Sequence, residues 1–337
     1  MKFENLSQIA RYIVEDGKGI LAADESNPTC KKRFDTISVE STETNRRDYR
    51  ELLFSSEGMD GNIGGVILFD ETIRQNSKDG VSLVELILRK KSLPGIKVDQ
   101  GLTPFQESAY ETVTKGLEGL DERCREYESL GAKFTKWRAV ITIGKDGPSQ
   151  ECIDANMDAL AKYAKIAQKN NMVPIVEPEV IMQGSHSIED CYKATERALN
   201  SLFRHLNQEN VLIEGAILKP NMVTSGSDSD DQAPPELVAE RTIQCLKDNV
   251  PDNLPGITFL SGGQTEVEST KHLDLMNKIG DFPWKLSFSY GRALQQSALN
   301  AWLGKDENVL NAQKAFSHRA KMNKLAAQGL WSHDLEN

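Results

Sequence analysis

The sequence predicts an α/β protein: a single (β/α)8 barrel of the TIM type spanning residues 1–337, with a short C-terminal tail at 330–337 expected to be flexible. Three observations predict it. Eight short runs rich in Ile, Val, Leu and Phe each end in polar or glycine residues, with starts about 30 to 45 residues apart, the length of a strand-plus-helix unit. Apolar residues at 3- and 4-residue steps mark helices in the intervals. No linker divides the chain, and its 337 residues suit one such barrel. A doubly wound open sheet is the alternative that the same alternation permits.

The runs, in order, are G-I-L-A-A-D-E-S from Gly19, G-G-V-I-L-F-D-E from Gly64, G-I-K-V-D-Q-G from Gly95 and F-T-K-W-R-A-V-I from Phe134. V-P-I-V-E-P-E from Val173, E-G-A-I-L-K-P-N from Glu214, G-I-T-F-L-S-G-G from Gly256 and W-K-L-S-F-S-Y-G-R from Trp284 complete the set. Between the fourth and fifth, Asn156 to Gln168 places Met157, Leu160, Ala161, Ala164 and Ala167 on one helical stripe. Cys191 to Leu206 repeats the pattern with Tyr192, Ala194, Ala198, Leu199 and Leu202. Ser225 to Glu236 is acidic and poor in apolar residues, so a mobile loop is expected after the sixth run. Gly17-Lys18-Gly19-Ile20-Leu21-Ala22 fits the G-x-G-x-x-A dinucleotide pattern, but it precedes a strand-like run, whereas that fingerprint must follow one.

Composition narrows the function. A net charge of −10 and a pI near 5.2 argue against broad contact with nucleic acid or an anionic membrane, while leaving room for a local basic pocket. No apolar run approaches the roughly 20 residues of a membrane span. The polar N-terminal stretch M-K-F-E-N-L-S-Q-I-A-R-Y has no signal-peptide core, so a cytoplasmic protein is expected. Cys30, Cys124, Cys152, Cys191 and Cys245 are scattered, without C-x-x-C, and read as free buried thiols. His186, His205, His272, His318 and His333 lie apart without zinc-site spacing, so no metal and no cofactor are expected.

The chemistry is suggested by charges within and at the ends of apolar runs. Residues i and i+2 share a face of a strand, and the C-terminal ends of barrel strands form the active site. Lys136 and Arg138 share a face on the fourth run, Glu177 and Glu179 on the fifth, Lys97 and Asp99 on the third; Asp24 closes the first and Lys219 the sixth. A lysine near its reference pKa of ~10.4 is protonated and not nucleophilic. Burial and a like-charged neighbour such as Lys136 favour a neutral Lys219 amine, which can form a Schiff base with a ketone or aldehyde. The iminium is an electron sink for making or breaking a C–C bond, and Glu177 and Glu179 are placed to shuttle protons during dehydration. Ser261-Gly262-Gly263 after the seventh run and Ser289-Tyr290-Gly291-Arg292 after the eighth read as phosphate-binding turns: glycines admit an anion to backbone N–H groups and Arg292 adds a fork of donors.

L-A-A-D-E-S, G-G-V-I-L-F, G-I-K-V-D, K-W-R, P-I-V-E-P-E, L-K-P-N-M-V, F-L-S-G-G-Q and F-S-Y-G-R-A-L together resemble class I fructose-1,6-bisphosphate aldolase, in that family's order, from about Ile9 to Gly329. The resemblance implies the (β/α)8 fold and reversible cleavage of the bisphosphate to dihydroxyacetone phosphate and glyceraldehyde 3-phosphate in glycolysis and gluconeogenesis. It implies Lys219 as the Schiff-base lysine, Glu177 as the proton carrier in dehydration and exchange, and Asp24 as the base for the C4 hydroxyl. Lys136 would position and stabilise charge with Glu179 as its partner. Ser261, Gly262, Gly263, Ser289, Gly291 and Arg292 would hold the ketone-end phosphate; Ser26, Arg33 and Lys97 the other, with Arg138 lining the cleft. A sugar phosphate as substrate and a homotetramer follow from the resemblance only. Two departures stand out: no tyrosine follows Tyr290, where the family uses a terminal one in proton exchange, and Thr29 replaces a phosphate-contacting serine. Glu177 with water, or His333 in the tail, would then carry that exchange. A Schiff-base aldolase for another phosphosugar and an aldolase-like scaffold binding partner proteins are the alternatives.

Overall fold

The computed structural model describes residues 3–145 and 147–336. Its strands are β1 (Gly19–Ala23), β2 (Ile63–Leu68), β3 (Leu93–Lys97), β4 (Leu102–Pro104), β5 (Thr112–Thr114), β6 (Phe134–Ile141), β7 (Val173–Val180), β8 (Ile217–Leu218), β9 (Gly256–Phe259) and β10 (Lys285–Tyr290). Eight of them close in the order β1-β10-β9-β8-β7-β6-β3-β2, all parallel, with β1 bonded to both β10 and β2. Closure excludes the open doubly wound sheet. Each of the eight apolar runs supplies one barrel strand. β4 and β5 form a separate antiparallel hairpin that the sequence pattern does not reveal, because three residues per strand are too few for an alternating signal.

Both expected helical stripes lie inside longer helices, Gln150–Lys169 and Ile188–Gln208. Ser149 caps the first by accepting from Cys152 N, and Ser187 with Asp190 forms a capping box on the second. The outward face of β6 packs on the first: Trp137 stacks on Tyr163 with ring centroids 5.4 Å apart, and the Thr135 and Tyr163 hydroxyls are bonded at 2.9 Å. All five cysteines are free and buried.

The barrel interior changes character along its axis. Towards the N-terminal end, Ile20, Ile67, Leu93, Phe134, Val173, Ile175 and Ile217 form one apolar cluster with Ile9, Ala10, Ile13 and Val14. The last four belong to the helix Leu6–Val14, which Asn5 caps and which plugs that mouth of the barrel. Phe134 fills the space that two glycines leave: a Cβ on Gly95 would lie 2.3 Å from its ring, and one on Gly65 would lie 2.8 Å away. The open end is therefore the C-terminal one.

Two expectations about mobility give way to bonded structure. The acidic Ser225–Glu236 segment is tied at its start to the loop after β7: Gly226 N donates to His186 O at 2.8 Å, Ser227 N to Met182 O at 2.8 Å and Asp228 N to Gly184 O at 2.9 Å. Residues 330–336 are docked rather than free. Trp331 is buried, its backbone N–H bonds Asp274 Oδ1 at 3.0 Å, and Arg319 clamps Glu336 with bonds of 2.6 and 2.9 Å. Backbone pairing and one buried arginine fix these segments, and neither registers in local composition.

Candidate active site

Moving two residues along the inward face of five of the eight barrel strands turns apolar contacts into charges. Ile20 and Ala22 lead to Asp24, Leu93 and Gly95 to Lys97 and Asp99, Phe134 to Lys136 and Arg138, Val173 and Ile175 to Glu177 and Glu179, and Ile217 to Lys219. These side chains meet in a cleft of about 550 Å³ at the C-terminal ends of the strands. All fifteen residues singled out in the sequence line it: Asp24, Ser26, Arg33, Lys97, Lys136, Arg138, Glu177, Glu179, Lys219, Ser261, Gly262, Gly263, Ser289, Gly291 and Arg292.

Lys136 is the electrostatic centre. Only 3% exposed, its Nζ lies 2.8 Å from Asp24 Oδ2, 3.4 Å from Glu177 Oε2 and 3.7 Å from Asp99 Oδ2. Burial alone would favour the neutral amine, but Asp24, Glu177 and Asp99 hold its pKa well above the lysine range. Burial likewise pushes Asp24 up, yet Lys136, Lys219 and Lys97 together hold its carboxyl well below the usual carboxylate range. Both groups are thus ionised at neutral pH.

Lys219 is 4% exposed, and its Nζ lies 3.1 Å from Glu177 Oε1. The backbone explains the position: Lys219 N bonds Val176 O at 2.8 Å, which extends the β7–β8 ladder by one residue before Pro220 ends it. The charge of Lys136 reaches Lys219 across Glu177, which contacts both amines. Glu177 Oε2 is buried and makes no hydrogen bond among the described residues; its nearest cation is Lys136 Nζ at 3.4 Å.

One partner differs from that implied by the resemblance. Glu179 bonds Arg138 Nε rather than Lys136, because both occupy the layer above the lysine, nearer the cleft mouth. Arg33 lies against the turn after β10: its Nη2 is 3.4 Å from a Cβ built on Gly291. Lys97, with which the resemblance groups it, lines the same cleft and has its Nζ 3.0 Å from Asp99 Oδ1.

The phosphate-type turns have the required backbone. Gly262 and Gly263 take φ values of 54° and 96°, which side chains disfavour. Gly291 precedes the helix Arg292–Trp302 without a side-chain cap, leaving its first N–H groups free for an anion. Arg292 Nη2 braces the neighbouring turn by donating to Gly263 O, and Ser289 Oγ is buried without a partner among the described residues. Beneath the loop, burial pushes His272 down to about 4, so the neutral ring donates Nδ1–H to Gln264 Oε1 at 2.6 Å. Ser26 and Thr29 hydroxyls are 3.0 Å apart, so the substituted threonine keeps its polar partner.

The cleft also contains residues to which the sequence assigns no role. Asp99 contacts both Lys97 and Lys136; its place on the Lys97 face was the available signal. Glu25, which pairs with Arg33 and Arg50, and Gln183 also line the cleft and carry no such signal. His333 does not line this cleft; it faces a separate groove with Trp331, Lys271 and Lys278. Among the described residues no group of three His, Cys, Asp or Glu side chains is arranged to hold a metal ion, and no helix is long and apolar enough to cross a membrane.

The fold and the site define a class: a closed parallel barrel with a buried, carboxylate-bridged lysine pair beside glycine-rich turns. The sequence model of the family described as Fructose-bisphosphate aldolase class-I matches residues 5–337. The chain is 54% identical over 333 residues to the probable fructose-bisphosphate aldolase class 1 of Xanthomonas axonopodis pv. citri, covering 98% of this chain and 99% of that one. It is 51% identical over 330 residues to the cytosolic fructose-bisphosphate aldolase 5 of Arabidopsis thaliana, covering 98% and 92%. The solved Plasmodium falciparum fructose-bisphosphate aldolase, in complex with TRAP and a small-molecule inhibitor, superposes with a TM-score of 0.96 at 47% identity, covering 97% of this chain and 95% of that one. The chain belongs to the class-I fructose-bisphosphate aldolase family.

Proposed function

We propose that the chain cleaves fructose 1,6-bisphosphate reversibly to dihydroxyacetone phosphate and glyceraldehyde 3-phosphate through a Schiff base on Lys219. The observation that carries the reading is Glu177, 3.1 Å from Lys219 Nζ and 3.4 Å from Lys136 Nζ on the floor of an open cleft. Glu177 takes a proton from Lys219, the free amine adds to the C2 ketone, and the proton returns to the carbinolamine hydroxyl as water leaves. The iminium draws the C3–C4 bonding electrons towards nitrogen. Asp24, kept as a carboxylate, takes the C4 hydroxyl proton; the C3–C4 bond breaks, the aldehyde departs, and an enamine remains on Lys219. Protonation at C3 and hydrolysis release the ketose phosphate and restore the lysine. Lys136, held charged, stabilises negative charge developing near C4, and the Arg138–Glu179 pair shapes the wall above it.

The Gly262–Gly263 and Gly291–Arg292 turns, with Ser261 and Ser289, would hold the ketone-end phosphate, and Ser26 with Lys97 the other. Glycolysis and gluconeogenesis in the cytoplasm are the corresponding setting, supported by relatives named as cytosolic. The homotetramer implied by the family resemblance completes the proposal; light scattering at assay concentration would contradict it by showing a monomer. A coupled cleavage assay with EDTA, run on fructose 1,6-bisphosphate and a panel of other ketose phosphates, tests the reaction. Activity unaffected by EDTA and highest on the bisphosphate is expected, because the iminium supplies the electron sink. Loss with EDTA, or a preference for another phosphosugar, would contradict it.

A further inference from the structure

Behind the cleft wall lies an ionic network that the reaction does not use directly. Glu25 is its hinge. On the cleft side, its Oε1 pairs with Arg33 Nη1 at 2.8 Å, and the Arg33 guanidinium covers Gly291. On the core side stands Arg50, only 2% exposed, whose Nη2 donates to the Glu25 carbonyl at 2.8 Å and lies 4.0 Å from Glu25 Oε2. Gln295 Nε2 supports the same carboxylate at 3.0 Å and bonds Ala22 O at 2.7 Å.

If Arg50 served only to stabilise the core, it would neutralise Glu71. The geometry is against it. Arg46 already engages Glu71 with two bonds of 2.5 and 2.8 Å, whereas Arg50 Nη1 is 3.7 Å away and has no hydrogen-bond partner among the described residues. Three guanidiniums, Arg33, Arg46 and Arg50, thus share two carboxylates, Glu25 and Glu71. The surplus positive charge is best offset by an anion at Arg33, the one guanidinium of the three that lines the cleft.

We propose that Arg50 is a positioning residue for phosphate recognition: from the core it fixes Glu25, Glu25 fixes Arg33, and Arg33 faces the phosphate bound at the Gly291 turn. The inference rests on the function proposed above and adds to it a residue outside the cleft. A lysine keeps the charge but not the planar fork that lets Arg50 meet the Glu25 carbonyl and carboxylate together, so it is a poor substitute.

The test is a double-mutant cycle of Arg50→Lys with Arg33→Ala, measured on fructose 1,6-bisphosphate and fructose 1-phosphate. Arg50→Lys should raise KM for both substrates roughly five- to tenfold, keep kcat within about twofold, and add little once Arg33 is alanine. Glu71→Gln should leave KM unchanged. Losses that multiply across the cycle, a fall in kcat at constant KM, an unaffected fructose 1-phosphate, or a Glu71→Gln effect as large as that of Arg50→Lys would each overturn the proposal. If Arg50→Lys does not fold, Glu25→Gln replaces it in the cycle, and multiplying losses overturn the proposal there too. Borohydride labelling of the wild type with dihydroxyacetone phosphate separates the two failures. A labelled wild type with multiplying losses defeats only the Arg50 proposal, whereas an unlabelled wild type defeats the Schiff-base reading beneath it.

Discussion

The two ends of the barrel are built from the same strands and the same inward faces, yet they do opposite things. At the N-terminal end, Phe134, Val173, Ile175 and Ile217 pack with the helix Leu6–Val14 into a sealed apolar plug. Two residues further along, those faces present Lys136, Glu177 and Lys219 to an open cleft. Stability and chemistry are therefore separated along the barrel axis rather than between domains. The apolar end fixes the register, and the register delivers each charge to its partner. A buried charge cluster is tolerated because its members are paired within 4 Å: Lys136 with Asp24 and Glu177, and Glu177 in turn with Lys219.

Breaking the upper half should cost activity most. Lys136→Met removes the charge that opposes burial at Asp24, so kcat should fall by roughly 10²- to 10⁴-fold. Asp24 would lose the main influence holding its carboxyl down, and the acid limb of the residual pH–rate profile should move to higher pH. A fall in kcat with an unmoved acid limb would separate Lys136 from Asp24. Breaking the lower half should do the reverse. Phe134→Ala opens space against Gly65 and Gly95 and should cost about 3–5 kcal/mol in denaturant unfolding. The folded fraction should keep kcat/KM within about twofold. A comparable loss of activity would show that the two halves are coupled.

Arg292→Ala should be milder. A charge-assisted contact is worth ~1.5 to 3 kcal/mol, so use of the bisphosphate should weaken by roughly ten- to a hundredfold, and fructose 1-phosphate should suffer equally. Activity lost on the bisphosphate alone would reverse the assignment of the phosphate ends. The smallest effect concerns His272, a buried group beneath the upper rim. Its folded pKa of about 4 lies below the unfolded value near ~6.5, so its contribution is present above that value and is lost as pH falls towards 4. Wild type should lose about 1–2 kcal/mol more stability than His272→Gln between pH 7 and 5, read from urea midpoints. Parallel curves for the two proteins would contradict it.

Most of the barrel is legible in the sequence because period-2 and period-3.6 apolar patterns are local, and strand-end charges stand out against them. Lys97, Lys136, Glu177 and Lys219 can be found this way. Pairing is less legible. That Glu179 meets Arg138, and that Arg33 crosses to Gly291, depends on which layer each side chain reaches once the barrel closes. Arg50 is hidden altogether, since its polar partners lie some 25 residues away at Glu25 and 21 residues away at Glu71. The docking of residues 330–336 is invisible for the same reason: Arg319 and Asp274 hold it from other helices.

Covalent trapping shows whether Lys219 carries the substrate as a Schiff base. Protein treated with dihydroxyacetone phosphate and borohydride, digested and read by mass spectrometry, should gain one reduced triose phosphate on the peptide containing Lys219. Activity should be lost in proportion, and Lys219→Ala should take no label. A label on Lys136 or Lys97 instead, or none in the active wild type, would contradict the claim.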